Sequence, residues 1–415
     1  MITDLRLLKS LKSYFSILFI VVLALFVNNG FGQAVSIWTN PITGTNLGNS
    51  NPYTIGDALV NSNLTVSGIG RGVTLTPSNS TNTYNTGSWP TSTTIDLNAY
   101  FNFTVAPITG YKISFSSFVY SGTGSSKQPS TFAFRTDANA NNFTTNIGIP
   151  SLTGTSIPLS VSDISSSTSF RLYGWNASSG SGRDWAVNDF TFNGSILGSS
   201  TTALSGFGYI YSFGPSTAQS FQVNGNGLTT ANASVTINGS LNYEVSTTSA
   251  TTGFGATASL TASGGSIAGQ TVWVRLKTGL PAGTYNETIN FGGGGITSIP
   301  ITVSGAVAKQ PLTITANNVN KIYGTALISP GAGQTTFTSS GLVNGETIGT
   351  LSIAYGTGAV ATAGVGSYNT VTPSAATGGT FNPSNYNITY TNGNIIVGAK
   401  ALTITANDVN KTYGT

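Results

Sequence analysis

Short runs in which apolar and polar residues alternate recur along most of the chain. YFNFTVAP at 100–107, YKISFSSFVY at 111–120, STFAFRTD at 130–137, SIPLSV at 156–161 and SFRLYGWN at 169–176 are examples. Each puts every second side chain on one face, which is the period of a strand with one buried side. The spacing returns in STAQSFQVNGNGLTTANASVTI (216–237), TVWVRLKTGLPAGTYNETINF (271–291), IPITVSGAV (299–307) and LTITA (312–316). Gly-, Asn- and Pro-rich stretches such as Pro281-Ala282-Gly283 lie between the runs and read as turns. Asn392-Gly393 separates the alternation of Tyr386, Ile388 and Tyr390 from the run Ile395 to Val397. That dipeptide predicts a hairpin, because both of its turn positions need positive φ. The pattern as a whole predicts an all-β chain of tandem β-sandwich modules.

The N-terminus departs from it. Arg6, Lys9 and Lys12 precede the apolar run SILFIVVLALFV at 16–27, and NNGFGQA follows. A basic start, about a dozen apolar residues and a small-residue exit predict a signal peptide over residues 1–34, cleaved between Gly32 and Val35. A membrane span needs about 20 apolar residues, and no second such run follows, so no membrane span is expected in the mature segment. Export places the protein outside the cell or on its surface.

Composition sharpens this picture. Charged residues are 6% of the chain, against about 25% in ordinary globular proteins. Gly, Ser, Thr and Asn take their place, yet 39% of the residues are hydrophobic and 10% aromatic, which argues against disorder. The chain carries 15 Lys+Arg and 11 Asp+Glu; removing the three basic residues and Asp4 of the N-terminal segment leaves 12 − 10 = +2. A near-neutral mature chain has no electrostatic footprint for nucleic acid. Cysteine is absent, so the modules are held by core burial and not by disulfides.

A repeat sets the organisation. LTITANNVNKIYGT at 312–325 and LTITANDVNKTYGT at 402–415 agree at 12 of 14 positions, 90 residues apart. That exceeds the 20–50 residues of solenoid units, so each copy is expected to be a small domain, with the chain ending inside the second. These stretches, with GLVNGET (341–347), AGVGSY (363–368) and NYNITYTNGNIIV (385–397), resemble the MBG domain of the YG type. The resemblance implies an extracellular spacer or adhesion module of a Gram-negative bacterium, and it brings no catalytic residues. Residues 198–308 resemble bacterial immunoglobulin-like sandwiches. Residues 35–197 resemble jelly rolls of the galactose-binding or carbohydrate-binding kind. The expected division is thus 1–34 signal peptide, 35–197 jelly-roll-like, 198–308 Ig-like, 309–400 MBG repeat and 401–415 the start of another.

Histidine and cysteine are both absent, so Ser-His-Asp and Cys-His nucleophiles and His-ligated zinc are excluded. Glu occurs only at Glu244, Glu287 and Glu346. Six of the seven Asp of the mature chain fall in residues 35–197, so a carboxylate pair for glycoside hydrolysis has room only there or between Glu244 and Glu287. No active site is expected in these residues, and no cofactor. The Gly-rich stretches Gly68–Gly72 and Gly292–Gly295 lack the strand-to-helix context of a phosphate loop and read as turns.

Two candidate sites remain in the first module. In SFRLYGWN, Phe170 and Leu172 are expected to face the core. That puts Arg171, Tyr173 and Trp175 outward as an aromatic platform with a donor for a sugar ring. The plainer reading is a strand face covered by a loop or a neighbouring domain. Asp184 and Asp189 flank the last strand, where the jelly-roll resemblance implies a structural calcium. The plainer reading makes them turn carboxylates, Asp184 beside Arg183. The whole reads as an exported, adhesin-like surface protein that binds polysaccharide or extracellular matrix through its first module, with the repeats as a stalk. The alternative is the non-catalytic arm of a secreted nuclease or glycosidase whose catalytic domain lies beyond residue 415. Uncharged strand edges would also allow self-association.

Overall fold

A computed structural model describes residues 35–55 and 59–414; the expected signal peptide, residues 1–34, lies outside the described residues. Within them the chain forms 27 strands and four 3-10 turns, and no α-helix. The fold is all-β. None of the described residues form a helix long and apolar enough to cross a membrane. The chain makes two compact units. The first runs to Leu204 and includes Ala218–Val274 and Glu287–Val303; the second takes Ser205–Thr217, Arg275–Asn286 and the chain from Ser304 on.

In the first unit, a four-stranded antiparallel sheet runs in the order Leu64–Arg71, Tyr100–Pro107, Thr168–Trp175, Thr131–Thr136. Facing it is a larger sheet in which Trp185–Gly198 pairs with Ser36–Pro41 on one side and Tyr111–Gly124 on the other. The end of that strand also pairs with Gln219–Asn226, Ile196 opposite Asn226. Every second residue of Tyr100–Pro107 is buried, which sends Phe101, Phe103 and Val105 inward. The rings of the two sheets interlock. Phe118 stacks on Phe134 with centroids 4.6 Å apart, Phe115 meets Phe170 edge-on at 5.0 Å, and Phe103 meets Phe190 at 4.8 Å. Phe170 and Leu172 are fully buried, as their alternation predicts. Inward-facing aromatics of this size bury 150–250 Å² each. A disulfide-free sandwich can be held by them alone.

In the second unit, Gln310–Ala316 pairs antiparallel with Phe337–Ser340 and parallel with Tyr386–Thr391. A second sheet has the order Val319–Ile322, Gly393–Gly398, Gly366–Gly379, Ile348–Tyr355, Gly331–Gln334. Asn392-Gly393 therefore does not close a hairpin. The strands on its two sides belong to different sheets, and neither residue has positive φ. The glycine serves close approach instead. A Cβ on Gly393 would sit 2.5 Å from the Ala316 carbonyl oxygen and 2.7 Å from that of Asn317.

The NKIYG stretch of the repeat has its own structural reason. Lys321 is 7% exposed, and its Nζ donates to the carbonyls of Thr325, at 3.0 Å, and of Val360. The long side chain fixes the turn after Val319–Ile322 to the chain around residue 360. Lys321→Met keeps the volume and strands two carbonyls. It is expected to lower the unfolding free energy by about 2 kcal/mol, measured as a shift of the urea midpoint at constant slope.

Candidate functional site

The outer face of the four-stranded sheet carries the residues that alternate with its core. Arg171 lies opposite Asn102 on one side and opposite Arg135 on the other; Tyr173 lies between Tyr100 and Ala133. The Arg171 guanidinium is held between two rings. Its carbon is 4.2 Å from the Tyr100 centroid and 3.8 Å from that of Phe143. Its Nη1 reaches the Tyr173 hydroxyl at 3.5 Å, and its Nε is buried without a hydrogen-bond partner. Arg135 donates from Nε to Asn146 Oδ1 at 2.8 Å and from Nη1 to the Phe143 carbonyl at 3.0 Å, and its guanidinium sits 5.6 Å from the Tyr173 ring.

Phe143 reaches this position through an unusual loop. Asn139, Ala140, Asn142 and Phe143 all have φ between 48° and 62°. For a residue as bulky as phenylalanine that backbone is a genuine outlier, of order 1–3 kcal/mol, and it persists only where the surroundings over-determine it. Here the Phe143 amide donates to the Thr136 carbonyl at 2.9 Å, and Asn141 Oδ1 accepts from the amides of Thr144 and Thr145 at 3.0 and 2.9 Å. Together with the Arg135 bonds, these contacts hold the ring over Arg171.

The result is an open hollow of about 400 Å³ lined by Ile95, Leu97, Phe143, Arg135, Arg171 and Tyr173, with Asn142 and Thr144. Leu97 is 54% exposed. Burial pushes the Tyr173 hydroxyl above its ordinary pKa, and the Arg171 hydrogen bond and the charges of Arg171 and Arg135 oppose that only in part. The hydroxyl is therefore a neutral group, and the guanidiniums are the charges of the site. A hollow with apolar walls and a few convergent donors is the usual form of a small-molecule or sugar site.

The outward platform expected at Arg171, Tyr173 and Trp175 needs correction. Arg171 does line the hollow. Tyr173 is fully buried, because the edge of Tyr100 packs on it at 5.5 Å and Arg135 covers it. Trp175 is partly exposed, lies opposite Thr131 at the far end of the strand, and is not among the lining residues. Arg135, Phe143 and Leu97 replace it. Alternation in STFAFRTD does put Arg135 on the face opposite Phe134, but its pairing with Arg171 depends on strand register.

Asp184 precedes the Trp185–Gly198 strand, and Asp189 lies within it beyond a register shift. The Asp189 carboxylate accepts from Ser121 Oγ at 2.6 Å. Asp184 is anchored through its backbone, its amide accepted by Ser125 Oγ at 3.2 Å and its carbonyl accepting from the Ser125 amide at 3.1 Å. Among the described residues no three acidic, histidine or cysteine side chains gather as a metal site.

Comparison with known proteins gives one family. Residues 312–396 match the MBG domain of the YGX type. No curated protein sequence matches the chain. Among solved structures the chain is similar to an f-lectin (fucolectin) from striped bass (Morone saxatilis) serum. Identity is 10%, over 55% of this chain and 86% of that one, with a TM-score of 0.20. It is also similar to allantoicase, at 8% identity over 52% of this chain and 79% of that one, with a TM-score of 0.14.

Proposed function

We propose that the chain is an exported, adhesin-like protein of the bacterial surface that binds polysaccharide in the hollow around Arg171. The Ig-like and MBG portions serve as its stalk. The observation that carries this reading is the hollow itself: two guanidiniums with unspent donors, set among Leu97, Ile95 and Phe143. A sugar needs both kinds of surface, an apolar wall for its C–H face and forked donors for its oxygens. The MBG match supports a surface role, and the apolar N-terminal run supports export. Faces rich in Thr, Ser and Asn and poor in charge suit contact with polysaccharide by hydrogen bonds.

The test is retention of the full chain on a panel of insoluble polysaccharides. Arg171→Gln is expected to weaken retention about tenfold, the worth of one charge-assisted hydrogen bond. Trp175→Ala is expected to leave it unchanged. Failure of every polysaccharide to retain the protein, or wild-type retention by Arg171→Gln, would overturn the reading.

A further inference from the structure

The chemical class of the ligand can be read from the two arginines, on the premise that the hollow is the polysaccharide site. Arg135 and Arg171 are direct cross-strand partners, where like charges destabilise a sheet. Every partner the structure gives them is uncharged: an amide oxygen, a carbonyl, a phenol and three aromatic rings. Two acidic residues lie near this face: Asp96 spends its Oδ1 on the Asn98 amide at 2.8 Å, and Asp137, two residues beyond Arg135, spends its Oδ1 on the Ser169 amide at 2.8 Å. Neither arginine's Nη2 has an acceptor among the described residues, and the Nε of Arg171 is buried and unpaired. With both faces of Arg171 covered by rings, what remains is the edge of the guanidinium, the part that binds planar or tetrahedral anions.

A neutral sugar would leave two facing cations uncompensated; an anion between them removes the repulsion and uses the free donors at once. We infer that the hollow binds an acidic polysaccharide, with a uronate carboxylate or a sulfate ester between Arg135 and Arg171 and the sugar ring against Leu97 and Phe143.

Affinity electrophoresis of the full chain tests this in gels containing polygalacturonate, fully methyl-esterified polygalacturonate or dextran sulfate. Retardation is expected with at least one of the two acidic polymers and not with the ester, and the two acidic gels separate carboxylate from sulfate. Arg135→Gln and Arg171→Gln, which keep polar side chains but lose the charge, should each weaken it about tenfold, with Arg135→Lys keeping part of it. Added salt should weaken wild-type binding. Thermal melting confirms that each variant is folded. Equal retardation by the ester would overturn the acidic-ligand inference and leave the polysaccharide reading intact. Retardation by the acidic polymers that both Gln variants preserve would overturn it as general attraction to a cationic chain. Retardation by none of the three overturns it as well, and the polysaccharide reading then stands or falls on the insoluble panel.

Discussion

Replacing Phe192 with alanine is expected to destabilise the first unit by about 3–5 kcal/mol, the cost of a large cavity in an aromatic core. Phe192 is fully buried on the Trp185–Gly198 strand, with Trp38 and Phe118 as its register partners on either side. It stacks on Trp38 at 5.4 Å, packs 4.6 Å from Phe118, and reaches across to Phe170 of the opposite sheet at 5.0 Å. Rings held from several sides cannot collapse into the space left behind, so the cavity term adds to the lost burial. Urea unfolding should show a lower midpoint at unchanged slope. Val73→Ser, at a position 86% exposed, should stay within about 0.5 kcal/mol of wild type. Equal losses at the two sites would show that the ring array is not what holds the unit. The same core sets the hollow, because the strand that sends Phe170 inward sends Arg171 outward. Loosening it should also weaken ligand retention.

The parts of the fold that were legible in the sequence are those fixed by local alternation. Phe101, Phe103, Phe170 and Leu172 lie where their period puts them, and all-β architecture follows from such runs. The site was legible only as far as one strand. Arg171 could be placed on the outer face, but the burial of Tyr173 depends on Tyr100 and Arg135, which reach it through pairing with two other strands. The 139–143 loop is less accessible still: nothing local marks a phenylalanine for positive φ, and the hydrogen bonds that hold it there come from Thr136, Arg135 and Asn141. Asn392-Gly393 shows the same limit from the other side. Its local preference for a hairpin is real, and it yields to a topology in which the flanking strands join separate sheets, each in parallel with a half of the LTITANNVNKI segment.

The repeat motifs explain a second large effect. Glu346 of GLVNGET and Tyr386 of NYNITY meet in the second unit, where the Tyr386 hydroxyl donates to Glu346 Oε2 at 2.7 Å and the Tyr211 hydroxyl donates to Oε1 at 2.6 Å. One carboxylate thus ties the 205–217 segment to the MBG sheets, with Ser212 Oγ donating to Asn344 Oδ1 at 2.6 Å beside it. Glu346→Leu leaves two phenols without their charged acceptor, and about 3 kcal/mol of stability is expected to go with it; Glu346→Gln, which keeps one acceptor, should lose less. Alkaline pH gives an independent check. Burial first, and the Glu346 hydrogen bond second, push the Tyr386 hydroxyl from 10.0 up to about 12. Because the folded value is the raised one, folding favours the neutral phenol. That contribution is complete below pH 10 and is lost as pH rises through about 12. Wild-type protein should therefore lose stability over this window in unfolding curves followed against pH. In Glu346→Leu the carboxylate's share of the push is gone while burial remains, so Tyr386 should ionise at lower pH and the window should narrow from its upper end. An unchanged window would mean that burial alone raises the phenol, and that the carboxylate contributes only its two hydrogen bonds.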